Sequence, residues 1–365
     1  MVKLSLCMIV KDEERVLGRC LESVKDCVDE IVIADTGSTD QTVEIAKTYT
    51  DKVFCIPWKN DFSAARNFTL SKATGEYILW LDADDVVENG NQERLHSLKK
   101  MLSHSPYDMV WARYETPFNA DTPPLSYERE RIFKNSEEFR FQGFIHECVP
   151  PKGKIFHSDL CITHRPIQKQ SRTGRNLEIY RFHLENGEAL SARDRFYYAR
   201  ELYDNGFFFE AEGELQSFLT RPDGWHVNKI EATKYLCFCR LKQSDFRGAL
   251  SALFSSFVYG EPRAHILCEI AHIYTLEKNF DCAAFWYEAA LLCSSKKEEG
   301  DFENEADFTL TPLLGLSYCY YQTGKLERSK KAHERLKTLY PNHPSVLYNE
   351  RFFSTVQEKS QEKHS

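Results

Sequence analysis

Over the first 115 residues, short continuous apolar runs alternate with stretches whose apolar positions recur every three to four residues. LSLCMIV is an unbroken apolar run, as expected of a strand buried on both faces. Next, Val16, Leu17, Cys20, Leu21 and Val24 fall on one face of a helix. EIVIAD, VFCIPW, YILWLD and MVWARYE repeat the strand pattern. TGSTDQTVEIA, FSAARNFTLSKA and residues 91–104 supply the helices between them, with Ser38 and Gln41 at capping-box spacing and Ser63 as the cap of the second. This β-α-β order predicts right-handed crossovers and an α/β domain built on a mainly parallel, Rossmann-like sheet. RIFK, FRFQGF and HSDLCITH are shorter strand candidates beyond it.

After residue 170 the strand pattern stops and a helical repeat begins. Aligned on a small residue, FFFEA, FRGA, FDCA and LERS place Ala211, Ala249, Ala283 and Ser329 at intervals of 38, 34 and 46 residues. The middle interval is the tetratricopeptide period. The last is lengthened by KKEEGDFENEAD, a polar stretch expected to be an inserted loop. The small residue lets two antiparallel helices approach, and aromatic residues in YYAREL, FWYEAALL and SYCYY fill the space between hairpins. The expected organisation is a catalytic-type α/β domain over 1–168 and a linker helix within 169–193 with Leu177, Tyr180 and Leu184. All-α repeats follow over 194–358, then a frayed tail over 359–365.

Composition narrows the function. With 47 basic and 55 acidic residues the formal charge is −8, which disfavours a nucleic-acid binder. No apolar run reaches the ~18 residues of a membrane helix. The N-terminal apolar stretch meets acidic residues at once and is expected to be a strand and not a signal peptide. The 12 cysteines include no C-x-x-C pair, and Cys7, Cys55, Cys161, Cys268, Cys282 and Cys293 lie in apolar runs, so buried reduced thiols and a cytoplasmic protein are expected.

The candidate chemistry sits where strands end. In open α/β sheets ligands bind outside the carboxyl ends of the strands. LCMIVKDEE, IVIADTGSTD and ILWLDADD each place polar groups directly after an apolar strand. Asp82 and Asp84, two residues apart, have the spacing and chemistry to hold a hard divalent cation. A calcium loop would want glycine where Val87 stands.

KDEE, ADTGSTDQT, FSAARNFTLSKATGEYILWLDADD and FQGFIHE, in this order over residues 1–168, resemble glycosyltransferase family 2, the inverting enzymes of GT-A fold. With the repeats, the chain is similar to the subgroup that includes S-glycosyltransferases of bacteriocin peptides. The resemblance implies that Val10, Lys11, Glu13, Asp35 and Arg66 line the nucleotide pocket, and that Asp82, Ala83 and Asp84 meet ribose and the metal-bound diphosphate. It implies Glu147 as general base with His146 as the alternative, and His164 as a second metal ligand beside Asp84. Arg175, with Arg172, would close over the diphosphate from the linker. The implied cofactor is Mg²⁺ or Mn²⁺ and the implied donor a UDP-sugar. The acceptor would be a peptide or protein held by the repeats, which are also a possible homodimer contact. Lys11 replaces the aromatic residue that many relatives stack on uracil. Three other readings are a transferase to a surface polysaccharide or lipid-linked sugar, an inactive repeat-based binding scaffold, and a nucleotidyltransferase. The last would want a glycine-rich basic loop where KDEE stands.

Overall fold

In β1 (Leu4–Val10) alternate side chains enter two different cores. Leu4, Leu6 and Met8 pack with Leu17, Leu21, Leu95 and Leu102, whereas Cys7 packs with Val32, Leu70, Ile78 and Trp80. The strand is thus covered on both faces, as its unbroken apolar run requires. The computed structural model describes residues 1–88, 90–116, 126–167, 174–295 and 304–362, and the chain divides into two units, Met1–Asp194 and Arg195–Ser365.

The first unit holds β1, α1 (Leu17–Val24), β2 (Glu30–Asp35), α2 (Thr42–Lys47), β3 (Val53–Cys55), α3 (Phe62–Lys72) and β4 (Tyr77–Trp80). These are followed by β5 (Asp85–Val86), α4 (Asn91–His104), β6 (Met109–Glu115), β7 (Ser126–Lys134), β8 (Ile155–His164) and α5 (Arg175–Glu185). One sheet takes the order β3-β2-β1-β4-β7-β6-β8-β5. Its first four strands run parallel. β7 then runs antiparallel between β4 and β6, β8 lies parallel to β6, and the two-residue β5 closes the edge antiparallel to β8.

Several local expectations need correction. FRFQGF forms no strand and contributes only an isolated bridge, Gln142 to Cys148. The cap of α3 is Asp61, whose Oδ1 accepts from the Ala64 N–H at 2.8 Å, while Ser63 turns inward and donates to the Gly143 carbonyl. The cap of α2 is Gln41, without a side-chain hydrogen bond, and Asp40 takes the Thr42 N–H instead. Cys55 and Cys282 are exposed. Arg172 and most of the KKEEGDFENEAD stretch lie outside the described residues.

α6 (Ala192–Asp204) runs into the second unit, where α7 (Phe208–Leu219), α8 (His226–Lys242), α9 (Phe246–Ser255), α10 (Ala264–Leu276) and α11 (Phe280–Ala290) follow. α12 (Leu310–Gln322), α13 (Leu326–Leu339) and α14 (Pro344–Glu362) complete it. Ala211, Ala249, Ala283 and Ser329 fall on α7, α9, α11 and α13, and each is fully buried. At Ser329 the hydroxyl donates to the Ser317 carbonyl of the neighbouring helix at 2.6 Å. Among the described residues no helix is long and apolar enough to cross a membrane.

Where two helices meet over a buried alanine there is no room for a larger side chain. Ala249→Leu is expected to cost about 1–3 kcal/mol by overpacking, read as a lowered midpoint in chemical denaturation. Phe209→Ala, at a side chain 83% exposed, should change the midpoint little. Equal effects of the two would contradict the packing.

Candidate active site

Parallel register brings the carboxyl ends of β1, β2 and β4 to one edge, with Val10 opposite Asp35 and Cys7 opposite Trp80. The turns after β1 and β2 are laced together. Asp12 Oδ1 accepts from the Thr39 N–H at 2.8 Å, the Asp12 N–H donates to Ser38 Oγ at 2.9 Å, and the Glu13 N–H donates to Thr42 Oγ1 at 2.7 Å. The Thr36 N–H and hydroxyl both donate to the Val10 carbonyl. Asp35 is buried and accepts from the N–H groups of Gly37 and Ser38 in its own turn, where Gly37 takes a φ of 102° that favours glycine. Lys11 is exposed at the mouth.

α3 carries Arg66, and three contacts dock the helix on the loop over residues 139–149. The Phe62 N–H donates to the Phe144 carbonyl, Ser63 to Gly143, and the Asn67 amide both donates to and accepts from the Phe141 backbone. Gly143, at φ 97°, allows that approach, since a Cβ there would meet the Ile145 carbonyl and Asp194 at 3.3 Å. Arg66 consequently reaches two acids from different elements. Its Nε donates to Glu147 Oε1 at 2.6 Å and its Nη2 to Asp82 Oδ1 at 2.7 Å. Only 6% of the residue is exposed, its guanidinium lies 4.7 Å from the Trp80 ring centre and 5.4 Å from that of Phe141, and Nη1 is buried without a partner. Burial opposes ionisation of Asp82, but Arg66 and then Arg131 outweigh it and hold the pKa at about 2.

His146, next to Glu147, adopts a left-handed backbone at φ 53°, and its carbonyl accepts from Arg193 Nη2 at 3.0 Å. α5 covers this loop through His183. That ring stacks on Phe144 at 3.6 Å between centres, and its nitrogens lie 2.8 Å from the Asn60 carbonyl and 2.9 Å from Glu188 Oε1. Leu177 and Tyr180 are buried, and Leu184 is 36% exposed. Arg175 is exposed and lies over Phe62 at 5.3 Å, with its hydrogen bonds to Asn176.

A second acidic group lies at the sheet edge. β5 pairs with β8 so that Asp85 stands directly opposite His164, and the Arg165 N–H donates to the Asp84 carbonyl at 2.8 Å. His164 Nδ1 is 3.5 Å from Asp84 Oδ1 and 3.7 Å from Asp85 Oδ1, and one ligand atom from each of the three residues falls within 4.8 Å of the others. Asp84, and after it Asp85, draw the imidazole pKa up to about 10. Sequence reasoning thus names Asp82, Asp84, Glu147, Arg66 and His164; Arg66 joins Asp82 and Glu147, and Asp84 stands beside His164.

Sequence reasoning misses the arginines behind the acids. Arg131 is fully buried, with its guanidinium 4.1 Å from the Trp80 ring centre; its Nη1 donates to the Trp80 carbonyl and forms an ion pair with Asp85 Oδ2 at 3.0 Å. Arg129 lies 4.7 Å from the same ring and reaches the Glu147 carbonyl. The signal available in the sequence is the alternation in ERERIFK, since residues 129 and 131 project from one face of a strand.

Removing a partner from a buried ion pair leaves the other charge uncompensated, at a cost of about 3–5 kcal/mol. Arg66→Met is expected to destabilise the first unit by that order at pH 7. Asp82's share of the stability is present above its ordinary value of 3.8 and lost as the pH falls towards about 2. The difference between wild type and Arg66→Met in urea denaturation should therefore be flat above that value and shrink below it. A difference independent of pH would contradict the ion pairing.

Residues 5–165 match the glycosyl transferase family 2 model. A TPR repeat-containing protein of Synechococcus elongatus is 42% identical over 149 residues, covering 41% of this chain and 36% of that protein. The SPbeta prophage-derived glycosyltransferase SunS of Bacillus subtilis is 30% identical over 258 residues, covering 66% of this chain and 59% of SunS. The lipopolysaccharide core biosynthesis glycosyltransferase LpsC of Rhizobium meliloti is 29% identical over 163 residues, covering 42% and 58%. The chain spans less than two thirds of each of these relatives. Its laced strand ends, its D-x-D at the end of β4 and its acid-bearing loop all lie within the matched residues: the N-terminal unit carries a glycosyltransferase family 2 domain.

Proposed function

We propose that the chain is an inverting, metal-dependent glycosyltransferase that moves a sugar from a nucleotide sugar, with a UDP-sugar the first choice, to a peptide or protein acceptor. The observation that carries this reading is the single guanidinium of Arg66 joining Asp82, the first acid of the D-x-D, to Glu147 on the loop covered by α5. A donor-side acid and an acceptor-side acid thereby share one buried network.

Val10, Lys11, Glu13 and Asp35 form the floor and rim for the nucleoside, where a carboxylate accepts from an imide N–H or from ribose hydroxyls. Asp82, Ala83 and Asp84 face the ribose and diphosphate. Asp84 and His164 supply a carboxylate and an imidazole to Mg²⁺ or Mn²⁺, a donor set suited to either ion. The fit is supported by the closeness of the donors, since His164 Nδ1, Asp84 and Asp85 each offer a ligand atom within 4.8 Å of the others. When bound, the cation offsets the negative charge that develops on the leaving diphosphate. The acceptor attacks C1 from the face opposite the nucleotide, and its proton passes to Glu147, whose Oε1 is held by Arg66 Nε. His146 is the alternative base. Arg175 is within the same unit and would have to swing from Phe62 to meet the diphosphate.

The helical repeats are the proposed acceptor-binding and homodimer surface, supported by the TPR repeat-containing relative. A cysteine thiol of a bacteriocin-type peptide is one candidate acceptor. A second reading, transfer to a lipopolysaccharide-type acceptor, draws on the resemblance to LpsC. The inactive-scaffold reading is disfavoured because Asp82, Asp84 and Glu147 are all present, Asp82 and Glu147 on one guanidinium and Asp84 beside His164.

Two outcomes test this function. Asp84→Ala, or EDTA added to wild type, is expected to abolish turnover of UDP-sugars in a donor-hydrolysis assay; full activity in either case would sink the metal-dependent reading. Glu147→Gln keeps the shape but not the basicity, and general-base loss costs roughly 10²–10⁴-fold in rate. If the acceptor is a thiol, whose ordinary pKa is near ~8.5, the defect should narrow as pH rises. Transfer by Glu147→Gln at the wild-type rate at acidic pH would move the base to His146.

A further inference from the structure

We propose that Asp85 is a third protein ligand of the divalent cation and that Arg131 is the residue that positions it, an inference that rests on the metal-dependent reading above. Asp85 is completely buried. Its two oxygens meet different neighbours. Oδ2 forms an ion pair with Arg131 Nη1 at 3.0 Å and accepts from the Asp82 N–H at 3.0 Å. Oδ1 is buried and lies 3.7 Å from His164 Nδ1, within ion-pair distance but beyond a hydrogen bond, and neither atom makes a close hydrogen bond. A buried polar atom is costly when its partners are poorly placed, and more so when it is charged. The two atoms face one another beside Asp84 at ion-pair distance, a placement that suits a cation shared by all three residues.

The spacing suits a cation. The three ligand atoms lie within 4.8 Å of one another. Adjacent ligands of an octahedral ion bound at ~2.1 Å are ~3 Å apart and opposite ones ~4.2 Å apart. The observed separations of 3.5 and 3.7 Å fall between these. The backbone sets the arrangement, because Asp85 and His164 are direct partners across β5 and β8.

Arg131 fixes which oxygen of Asp85 is offered. Its guanidinium is sandwiched between Trp80 at 4.1 Å and Tyr114 at 4.6 Å and is fully buried, so it has little freedom to move. Holding Oδ2 leaves Oδ1 as the free donor. Residues that orient a ligand typically contribute 10–100-fold to metal affinity.

Mn²⁺ binding to the full chain, followed by electron paramagnetic resonance with and without UDP, tests this. Asp85→Asn is expected to weaken Mn²⁺ at least ~10-fold, with Asp84→Asn as the positive control. Arg131→Met should weaken it ~10–100-fold and Arg131→Lys less, with far-UV circular dichroism unchanged. If Asp85→Asn fails to fold because Arg131 is left uncompensated, the double variant Asp85→Asn/Arg131→Gln removes both charges and should show the same loss. A folded Asp85→Asn or double variant that binds Mn²⁺ like wild type, while Asp84→Asn does not, overturns this inference and leaves the metal-dependent reading standing. Wild type that binds no Mn²⁺ with UDP present overturns both.

Discussion

A buried arginine cannot stand without acids around it, and the candidate site is organised by that requirement. Arg66 is stacked against Trp80 and Phe141 and reaches Asp82 and Glu147 at once. Moving a guanidinium out of water is costly, and only close, hydrogen-bonded carboxylates offset it. The end of β4 and the loop over 139–149 are therefore drawn to the same side chain of α3. The docking contacts of Ser63 and Asn67 serve the same end, because they fix the height of the helix over that loop.

The pattern repeats one layer behind. Arg131 and Arg129 lie at the ring of the same Trp80, and Arg131 compensates Asp85. Three arginines and one indole thus support an acidic mouth of Asp82, Asp84, Asp85 and Glu147. Without these cations the carboxylates would repel one another. Asp82, kept at about 2, stays ionised across the physiological range.

Much of this was legible in sequence, for a physical reason. Strands buried on both faces leave unbroken apolar runs, so β1, β2, β4 and β6 stand out, and the acids that follow them are conspicuous. The repeat half was legible because close helix packing demands a small residue, and Ala211, Ala249, Ala283 and Ser329 are all fully buried. What was hidden depends on contacts between segments far apart in the chain. Ser63 was a plausible cap, but the loop from residue 139 offers it a carbonyl and Asp61 takes the N–H instead. FRFQGF has strand-like alternation, yet Phe139 and Phe141 enter the core around Trp80 and Phe133, Phe144 stacks on His183, and the segment folds as a loop. Arg131 is charged and in a strand, which by itself reads as solvent-facing, and only its burial with Asp85 reveals it.

The central claim is that Asp82 and Glu147, joined through Arg66, serve a single displacement with inversion at the sugar carbon. The most direct measurement is the anomeric configuration of the first-formed product from a UDP-α-sugar, followed by proton NMR before mutarotation. The account predicts the β-anomer. An α-configured product would require a retaining mechanism and would contradict the account.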